Sequence, residues 1–450
     1  SSDVCSSDLY YHVEELAPGA VPPDPAASDE LSEDSKMSME EASIIVSEAN
    51  ASADNARSLI EQTDRLVDVA DGLNDISIVN DGIDAMTQNE ARILNAVGDL
   101  AVAGTDISPE AIIPSMESFI GMKYASEGFV ATSRKIEKAT NDHAKETWES
   151  IDGFFRINAT LPYMLTRIVA LQHRADSIGK PRPDRETIKL RVAPSSLMMA
   201  GQVCTKPSDL KAALNNTKDS VNYVFKQYPD YINKKIESVI KALGSVNPDN
   251  PKFTITELAD NLDAITVPTI PKAGTPMTIG DQQVWVGAPM LGNVELSQRL
   301  PAKKDTGTEF SRVNRHRWST VTVTSRESPP STGTPVVVNR LTQAEIKSLL
   351  ADCRSILVDL DAFYRRGAFA KIKSMRKRME AATDRLAADV SKEKENQALY
   401  NAYQTMANFN NGYASMVQSP LMVMFQKALA SVRSVSAVCS SSIDGYEAKE

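Results

Sequence analysis

The stretch LTQAEIKSLLADCRSILVDLDAF (341–363) decides the fold class of this 450-residue chain. Thr342 and Glu345 stand three residues apart, as in the capping box, where a hydroxyl and a carboxylate cap a helix N-terminus reciprocally. Behind them, apolar side chains at helical spacing predict one buried helix face: Leu349, Leu350, Ile356, Leu357, Leu360 and Phe363. We therefore expect an amphipathic helix that opens a C-terminal helical domain, residues 341–450.

Helical signals continue on both sides of this stretch. A long helix is predicted from about Ala368 to Glu395 and another from Gln397, with Pro420 interrupting or restarting it. A helical pair is predicted from Pro207 to Leu243, where Gly244 ends it. Aromatic residues make up only 6% of the chain, which favours helices over a β-sandwich or barrel.

A change in amino-acid composition separates the helical regions. Residues 247–340 are rich in Pro, Gly and Thr and contain short β-like runs at 284–286 (VWV), 319–325 (STVTVTS) and 335–338 (PVVV). We predict a small, irregular β insertion there, after a helical domain at 128–246 in which GKPRPD (179–184) forms a linker or turn. The predicted fold class is mainly α: a helical bundle-like body with this insertion and a disordered acidic N-terminal arm.

The N-terminal region divides into three parts. Residues 1–9 (SSDVCSSDL) read like a translated sequencing-adapter oligonucleotide, so we treat them as an artefact and expect the true N-terminus to be missing. Residues 10–37 are rich in Pro and acid without an apolar period, which predicts a disordered arm. A capping box at Ser38 and Glu41 opens an acidic helical region, residues 38–127, which we interpret as propeptide-like.

Charge is distributed unevenly along the chain. Residues 10–110 hold 22 acidic and four basic residues, a net charge of −18. Residues 128–450 hold 44 basic and 33 acidic residues, a net charge of +11. Such asymmetry is typical of a masking tail joined to a nucleic-acid-facing body, and equally of a tail that only keeps a protein dissolved.

Local motifs for catalysis or cofactor binding are not found. The four histidines stand apart from one another and from the cysteines, so neither a metal site nor a cofactor site is predicted, and we expect that the protein is not an enzyme. Cys204, Cys353 and Cys439 are widely spaced, which favours a reducing interior over a disulfide framework. No apolar run approaches the roughly 18–20 residues that span a bilayer, so we expect a soluble protein without a membrane partner.

One basic stretch is a candidate DNA-contacting surface. Phe369, Ile372, Met375 and Met379 stand at helical spacing in this stretch. It also contains seven cations with no acidic residue between them: Arg365, Arg366, Lys371, Lys373, Arg376, Lys377 and Arg378. Such a helix could follow a phosphate backbone without sequence preference. The alternative is an amphipathic helix whose charged side only faces solvent. Arg315-His316-Arg317-Trp318 is a second, smaller basic and aromatic spot.

Residues 66–129 resemble the N-terminal block of internal head proteins of large myovirus-type phages. The specific part is AVAGTD (101–106) followed by PEAIIPSMES (109–118), and WESIDGFF (148–155) resembles the helix after the processing point. The resemblance implies a structural virion protein of the capsid interior, assembled in the procapsid core while in the host cytoplasm. Its implied partners are other core and capsid proteins, the prohead protease and packaged DNA.

The resemblance also implies a processing site. Prohead proteases favour a small residue, any residue and then Glu, which Ala125, Ser126 and Glu127 match, with Gly128 following. Cutting there would discard the acidic arm and leave the basic body. The alternative functions are an intracellular, nonspecific DNA-binding protein and a helical interaction protein whose acidic arm binds a partner.

Overall fold

The computed structural model describes residues 145–154, 160–190, 194–279, 282–301, 308–317, 321–326, 336–365, 367–392 and 396–448, together with residues 51, 54, 55, 57–59, 61 and 62. The predictions for residues 1–50, which include the adapter-like start, the disordered arm and the Ser38 capping box, lie outside this part of the chain.

The described body is mainly helical, as predicted. Residues 145–154 are helical. The longer helices that follow are α1 (Thr160–Asp176), α2 (Pro207–Asn222), α3 (Tyr228–Leu243), α4 (Pro251–Asp263), α5 (Glu309–Arg315), α6 (Gln343–Arg365), α7 (Ala368–Lys392), α8 (Gln397–Val417) and α9 (Val423–Ile443).

Helix α6 lies at the centre of the body, packed against α1, α2 and α9. Its predicted capping box is confirmed: the Thr342 hydroxyl accepts from the Glu345 backbone N–H at 3.3 Å, and the Glu345 carboxylate accepts from the Thr342 N–H at 2.7 Å. The predicted apolar face is buried, each of its six residues being at most 3% exposed. The next helix, α7, packs against α3 and α8.

Two long helices each contain a π-helical turn. Tyr223–Gln227 joins α2 to α3, and Gln418–Met422 joins α8 to α9. Pro420 lies in the second turn and lacks an N–H, so it cannot bond the carbonyl of Met416 four residues earlier. The Tyr228 hydroxyl donates to that carbonyl at 3.0 Å, so a neighbouring helix supplies the missing hydrogen bond.

Among the described residues, the strands are short and form four small antiparallel sheets. A four-stranded sheet has the order β5 (Met277–Ile279), β6 (Gln282–Val286), β7 (Val294–Pro301) and β8 (Val321–Ser325). The two-stranded sheets pair β1 (Ile178–Pro181) with β10 (Tyr446–Ala448), β2 (Thr187–Leu190) with β9 (Val336–Asn339), and β3 (Met198–Met199) with β4 (Gln202–Val203).

The strand-rich interval is joined to the helical body. Helices α4 and α5 lie within residues 247–340, and strand β9 pairs with β2, which precedes the interval by more than fifty residues. Residues 179–181, predicted as part of a linker or turn, instead lie in β1 because β10 provides a partner from the C-terminal end of the chain. This interpretation of GKPRPD was therefore wrong at its first residues.

Helix α8 is buried on nearly all sides, including its polar stripe. That stripe consists of Asn401, Gln404, Thr405, Asn408 and Asn411, each at most 6% exposed. Gly412 extends it, and a Cβ at this position would lie 2.2 Å from Cγ of Arg317. The close approach of Arg317 to the α8 backbone therefore requires glycine.

Residues 398–443, which cover α9 and all but the first residue of α8, are long and apolar enough to cross a bilayer by composition, but 67% of their apolar window is buried inside the protein. Burial of this extent is typical of core helices.

Candidate nucleic-acid interface

The candidate basic helix is α7, which follows Gly367. This glycine has a φ of +97°, a left-handed conformation that favours glycine and allows the chain to turn between α6 and α7. The four apolar residues predicted along α7 are buried, with Met379 and Ile372 fully so. The basic residues consequently lie on the sides and outer face of α7.

Two of the predicted DNA-contacting cations are anchored to the helix at 145–154. The Lys373 ammonium pairs with the Asp152 carboxylate at 2.6 Å. The Arg376 guanidinium lies over the Trp148 ring, 5.3 Å from its centroid, and 3.9 Å from the carboxylate of Glu380. A guanidinium on an aromatic face gains cation–π stabilisation, so Arg376 has a structural role in this packing.

Two further predicted cations have acidic neighbours. Arg365, at the end of α6, pairs with Asp361 at 2.8 Å, and Lys371 lies 4.0 Å from Asp230 on α3. Both basic side chains are more than half exposed, so these pairs contribute little to stability. They nevertheless reduce the local positive charge. Arg366 lies outside the described residues.

Lys377 and Arg378 are the predicted contacts that remain most available. Both are exposed, and neither has an acidic partner in the part of the chain that the structure describes. The Arg378 guanidinium donates only to the Met375 sulfur, at 3.3 Å. The inner cations of the basic helix therefore stabilise the body, and its two outer cations face solvent.

The smaller basic spot at 315–318 is turned toward the protein. Arg312, Arg315 and His316 converge on the carboxylate of Asp263 at the end of α4, at 2.6, 3.1 and 2.7 Å. Burial alone would raise the pKa of Asp263, but the hydrogen bonds from His316 and Arg312 outweigh it and lower that pKa. Arg317 is only 2% exposed. These residues hold α5 to α4, and Trp318 lies outside the described residues.

A fully buried lysine lies beside this cluster. Lys235 on α3 donates to the His316 carbonyl at 3.0 Å, and its ammonium lies 4.7 Å from the centroid of the Tyr231 ring. Burial lowers the pKa of Lys235 to about 7. Burial and then Lys235 lower the pKa of His316 to about 4, although Asp263 opposes this, so His316 is neutral near pH 7.

Comparison with known families identifies the family to which the chain belongs. The family described as phiKZ-like phage internal head proteins matches residues 38–437. This span covers most of the chain and includes helices α1 to α8 and most of α9. The chain belongs to the phage internal head protein family. No curated protein and no solved structure matches it.

An internal head protein is a structural component of the virion, inside the phage capsid. Among its described residues, no group of three His, Cys, Asp or Glu side chains is arranged to hold a metal ion. Cys204, Cys353 and Cys439 are buried free thiols. The predicted processing residues Ala125, Ser126, Glu127 and Gly128 lie outside the described part of this internal head protein.

Sequence patterns did not single out three other cations of this internal head protein. Arg167 on α1 and Lys427 and Arg433 on α9 each stand alone among apolar and small residues. A single cation in an apolar helix carries no local signal, whereas a run such as Arg376–Arg378 does. Only the packing of α1 beside α9 brings the three to one side of the body.

Proposed function

We propose that this protein is built into the procapsid core, loses its acidic N-terminal region to a prohead protease, and remains in the mature head with its basic body against the packaged DNA. The proposed cut is hydrolysis of the peptide bond between Glu127 and Gly128. The body then begins with residue 128 and keeps the whole helical core.

The reversal of charge across the proposed cut carries this proposal. The region before it is strongly acidic, with a net charge of −18 over residues 10–110, and the region after it has a net charge of +11. Cations that neutralise phosphates release counterions from DNA, which drives binding without sequence preference. Removal of the acidic region would therefore convert a chain of net charge −10 into a DNA-compatible one.

The tripeptide at the proposed cut supports the same point. Ala125, Ser126 and Glu127 fit the preference that the family resemblance implies for a prohead protease, and Gly128 permits backbone conformations that a protease cleft can require. The proposed cut also coincides with the change in net charge, because Glu127 is the last acidic residue before the basic body.

The outer side of α7 supports contact with DNA. Lys377 and Arg378 are exposed cations that directly follow Arg376 in the sequence. Because Arg376 packs on the Trp148 ring, the part of α7 that carries these two cations is held in place. This arrangement suits a weak, nonspecific contact with phosphates, because no base-reading geometry is needed.

Peptide mapping of the protein from proheads and from mature heads tests this function. Proheads are expected to contain peptides from residues 38–120, whereas mature heads contain peptides from residue 128 onward with a new N-terminus at Gly128. A Glu127→Gln protein should stay uncut. Equal abundance of both regions in mature heads would show that the acidic region is retained, and the proposed trimming would be wrong.

A further inference from the structure

One edge of the four-stranded sheet is open to solvent. Within the described sheets, strand β5 (Met277–Ile279) pairs with β6 alone, and all three of its residues are exposed. The opposite edge differs, because β8 lies beside the π-helical turn Gln418–Met422 and Val321 is fully buried there. The outer side of β5 therefore has no strand partner among the described residues.

Strand β5 exposes two large apolar side chains. Met277 is 55% exposed and Ile279 is 60% exposed. They are two residues apart, so they project from the same face of the sheet. The sequence between Pro276 and Gly280 contains no charged residue, although charged side chains are a common means of preventing an edge strand from pairing. This edge is consequently suited to receive another strand.

The hairpin that carries this edge is anchored to the body. Val284 of β6 is 6% exposed, and the neighbouring Trp285 packs against the hydrophobic core. At the base of the hairpin, the backbone N–H of Gly274 donates to the carbonyl of Val286 at 3.1 Å. Because β5 is already held in an extended conformation, pairing with a further strand costs it little conformational entropy.

The register of β5 on β6 decides which main-chain groups face outward. Ile279 pairs with Gln282 across a two-residue loop, and Met277 pairs with Val284. The pair that flanks a two-residue hairpin loop is hydrogen-bonded, and hydrogen-bonded pairs alternate with non-hydrogen-bonded pairs along antiparallel strands. The N–H and C=O groups of Met277 and Ile279 therefore point toward β6, whereas both groups of Thr278 point away from it.

A second copy of β5 fits this outer side. In an antiparallel arrangement centred on Thr278, the two threonines exchange both N–H···O=C hydrogen bonds, and Met277 lies opposite the partner's Ile279. Apolar side chains then face apolar side chains, and threonine faces threonine, which are pairings that stabilise sheets. No like charges oppose each other in this register. Pro276 has no N–H, so the ladder ends there.

We propose that β5 is a self-association edge, through which two copies of this internal head protein join their four-stranded sheets into one continuous sheet across a two-fold axis. The contact is isologous, since each copy presents the same strand to the other. Three residues on each side bury much less than the roughly 1,200–2,000 Å² of a stable interface. The association is therefore weak and reversible, and it requires neither the proposed cleavage nor DNA.

Sedimentation velocity of the full chain over a range of protein concentrations tests the proposal. The weight-average mass of the unsubstituted protein is expected to rise from monomer toward dimer. Thr278→Pro removes the outward N–H and no hydrogen bond to β6, and edge strands tolerate proline at such positions. Ile279→Lys places a charge beside the partner's Met277. Each change should raise the dissociation constant of the dimer by roughly tenfold or more.

Val337→Lys is the matched control. Val337 on β9 is 47% exposed and lies in a different sheet, so this change adds the same charge and removes a similar apolar side chain away from β5. The control should self-associate like the unsubstituted protein. Circular dichroism should show the same helix content in all of these proteins, and Ile279→Lys decides the outcome if Thr278→Pro does not fold.

Paired cysteines test the register directly. In a Cys5→Ser background, Met277→Cys protein is mixed with Ile279→Cys protein in oxidised glutathione, and the three other cysteines are buried. Opposite residues of a non-hydrogen-bonded pair have Cα atoms about 4.5 Å apart, within reach of a disulfide. Two copies of residue 277 would be about 7–8 Å apart, which is too far. The mixture should therefore form disulfide-linked dimers, and neither protein alone should do so.

Three results would each overturn this inference. They are a chain that stays monomeric at every concentration, equal self-association of the β5 variants and the unsubstituted protein, and equal cross-linking in the mixture and in the single variants. The trimming and the DNA contact of the proposed function are unaffected by any of these results, because neither depends on β5.

Discussion

The hydroxyl of Tyr228 donates a hydrogen bond to the carbonyl of Met416, across 188 residues of sequence and at a distance of 3.0 Å. The carbonyl belongs to the turn that Pro420 leaves without a backbone donor, and Tyr228 begins the helix that follows the other π-helical turn. The helix that follows one irregular turn therefore supplies a donor to the other. Both lie deep in the core, where Tyr228 is fully buried.

Replacing Tyr228 by Phe removes only this hydroxyl and leaves the carbonyl of Met416 buried and unpaired. We expect the free energy of unfolding to fall by about 1–3 kcal/mol. Urea denaturation followed by circular dichroism measures the change. Tyr364→Phe is the control, since Tyr364 is 39% exposed and should change stability by no more than about 0.5 kcal/mol. Equal stability of both variants would mean that water replaces the Tyr228 hydroxyl.

Gly412→Ala should destabilise the body, because the new Cβ would lie 2.2 Å from Cγ and 2.7 Å from Cδ of the buried Arg317. The expected loss is roughly 1–3 kcal/mol, as is usual for an overpacked core. Gly274→Ala is the matched control, since the nearest atom to its Cβ is 3.9 Å away. Thermal denaturation of the two variants side by side gives the comparison, and similar midpoints would contradict the predicted clash.

Lys235 should make stability depend on pH. Its pKa is lowered from 10.5 to about 7 in the folded state, so between these values the unfolded chain binds more protons than the folded one. Stability is therefore expected to rise as pH increases from about 7 toward 10. Lys235→Met should remove this dependence and be more stable than the unsubstituted protein near pH 7.

Lys234→Met provides the control for this experiment, because Lys234 is the exposed neighbour of Lys235. Denaturant midpoints at pH 7, 8 and 9 should rise in the control and stay level in the Lys235 variant. A rise of the same size in both would assign the pH dependence to other groups.

The outer cations of α7 should contribute to DNA binding and not to folding. In the cleaved protein, Lys377→Gln/Arg378→Gln is expected to weaken binding and lower the salt slope by no more than about two. Lys373→Gln instead breaks the 2.6 Å pair with Asp152 and should lower thermal stability. Fluorescence anisotropy and thermal denaturation together separate these effects. If the double variant binds like the unsubstituted protein, these two cations face only solvent.

Local signals in the sequence predicted the helices well. The capping residues Thr342 and Glu345 placed the start of α6, and Gly244 placed the end of α3. Helix α7 was expected to run from 368 to 395 and runs from Ala368 to Lys392. Each of these signals depends on residues within a few positions of one another, so no knowledge of the tertiary structure is needed.

Partners distant in sequence could not be predicted. Lys373 looks like a free cation until Asp152, 221 residues away, is seen to pair with it. Strand β1 looks like a linker until β10 provides its partner. The polar stripe of α8 looks like a solvent face, yet Asn411 is 1% exposed, because the neighbouring helices enclose it. Packing decides such positions, and sequence periodicity alone cannot.

The central position of α6 has a consequence for synthesis. Because α6 packs against both α1 and α9, the core can close only after residue 443 has left the ribosome. At roughly 5–20 residues per second, the interval between completion of the acidic region and closure of the core lasts about 15–60 seconds. The acidic region has therefore been synthesised, on the same nascent chain, before the cations of α1 and α9 first come together.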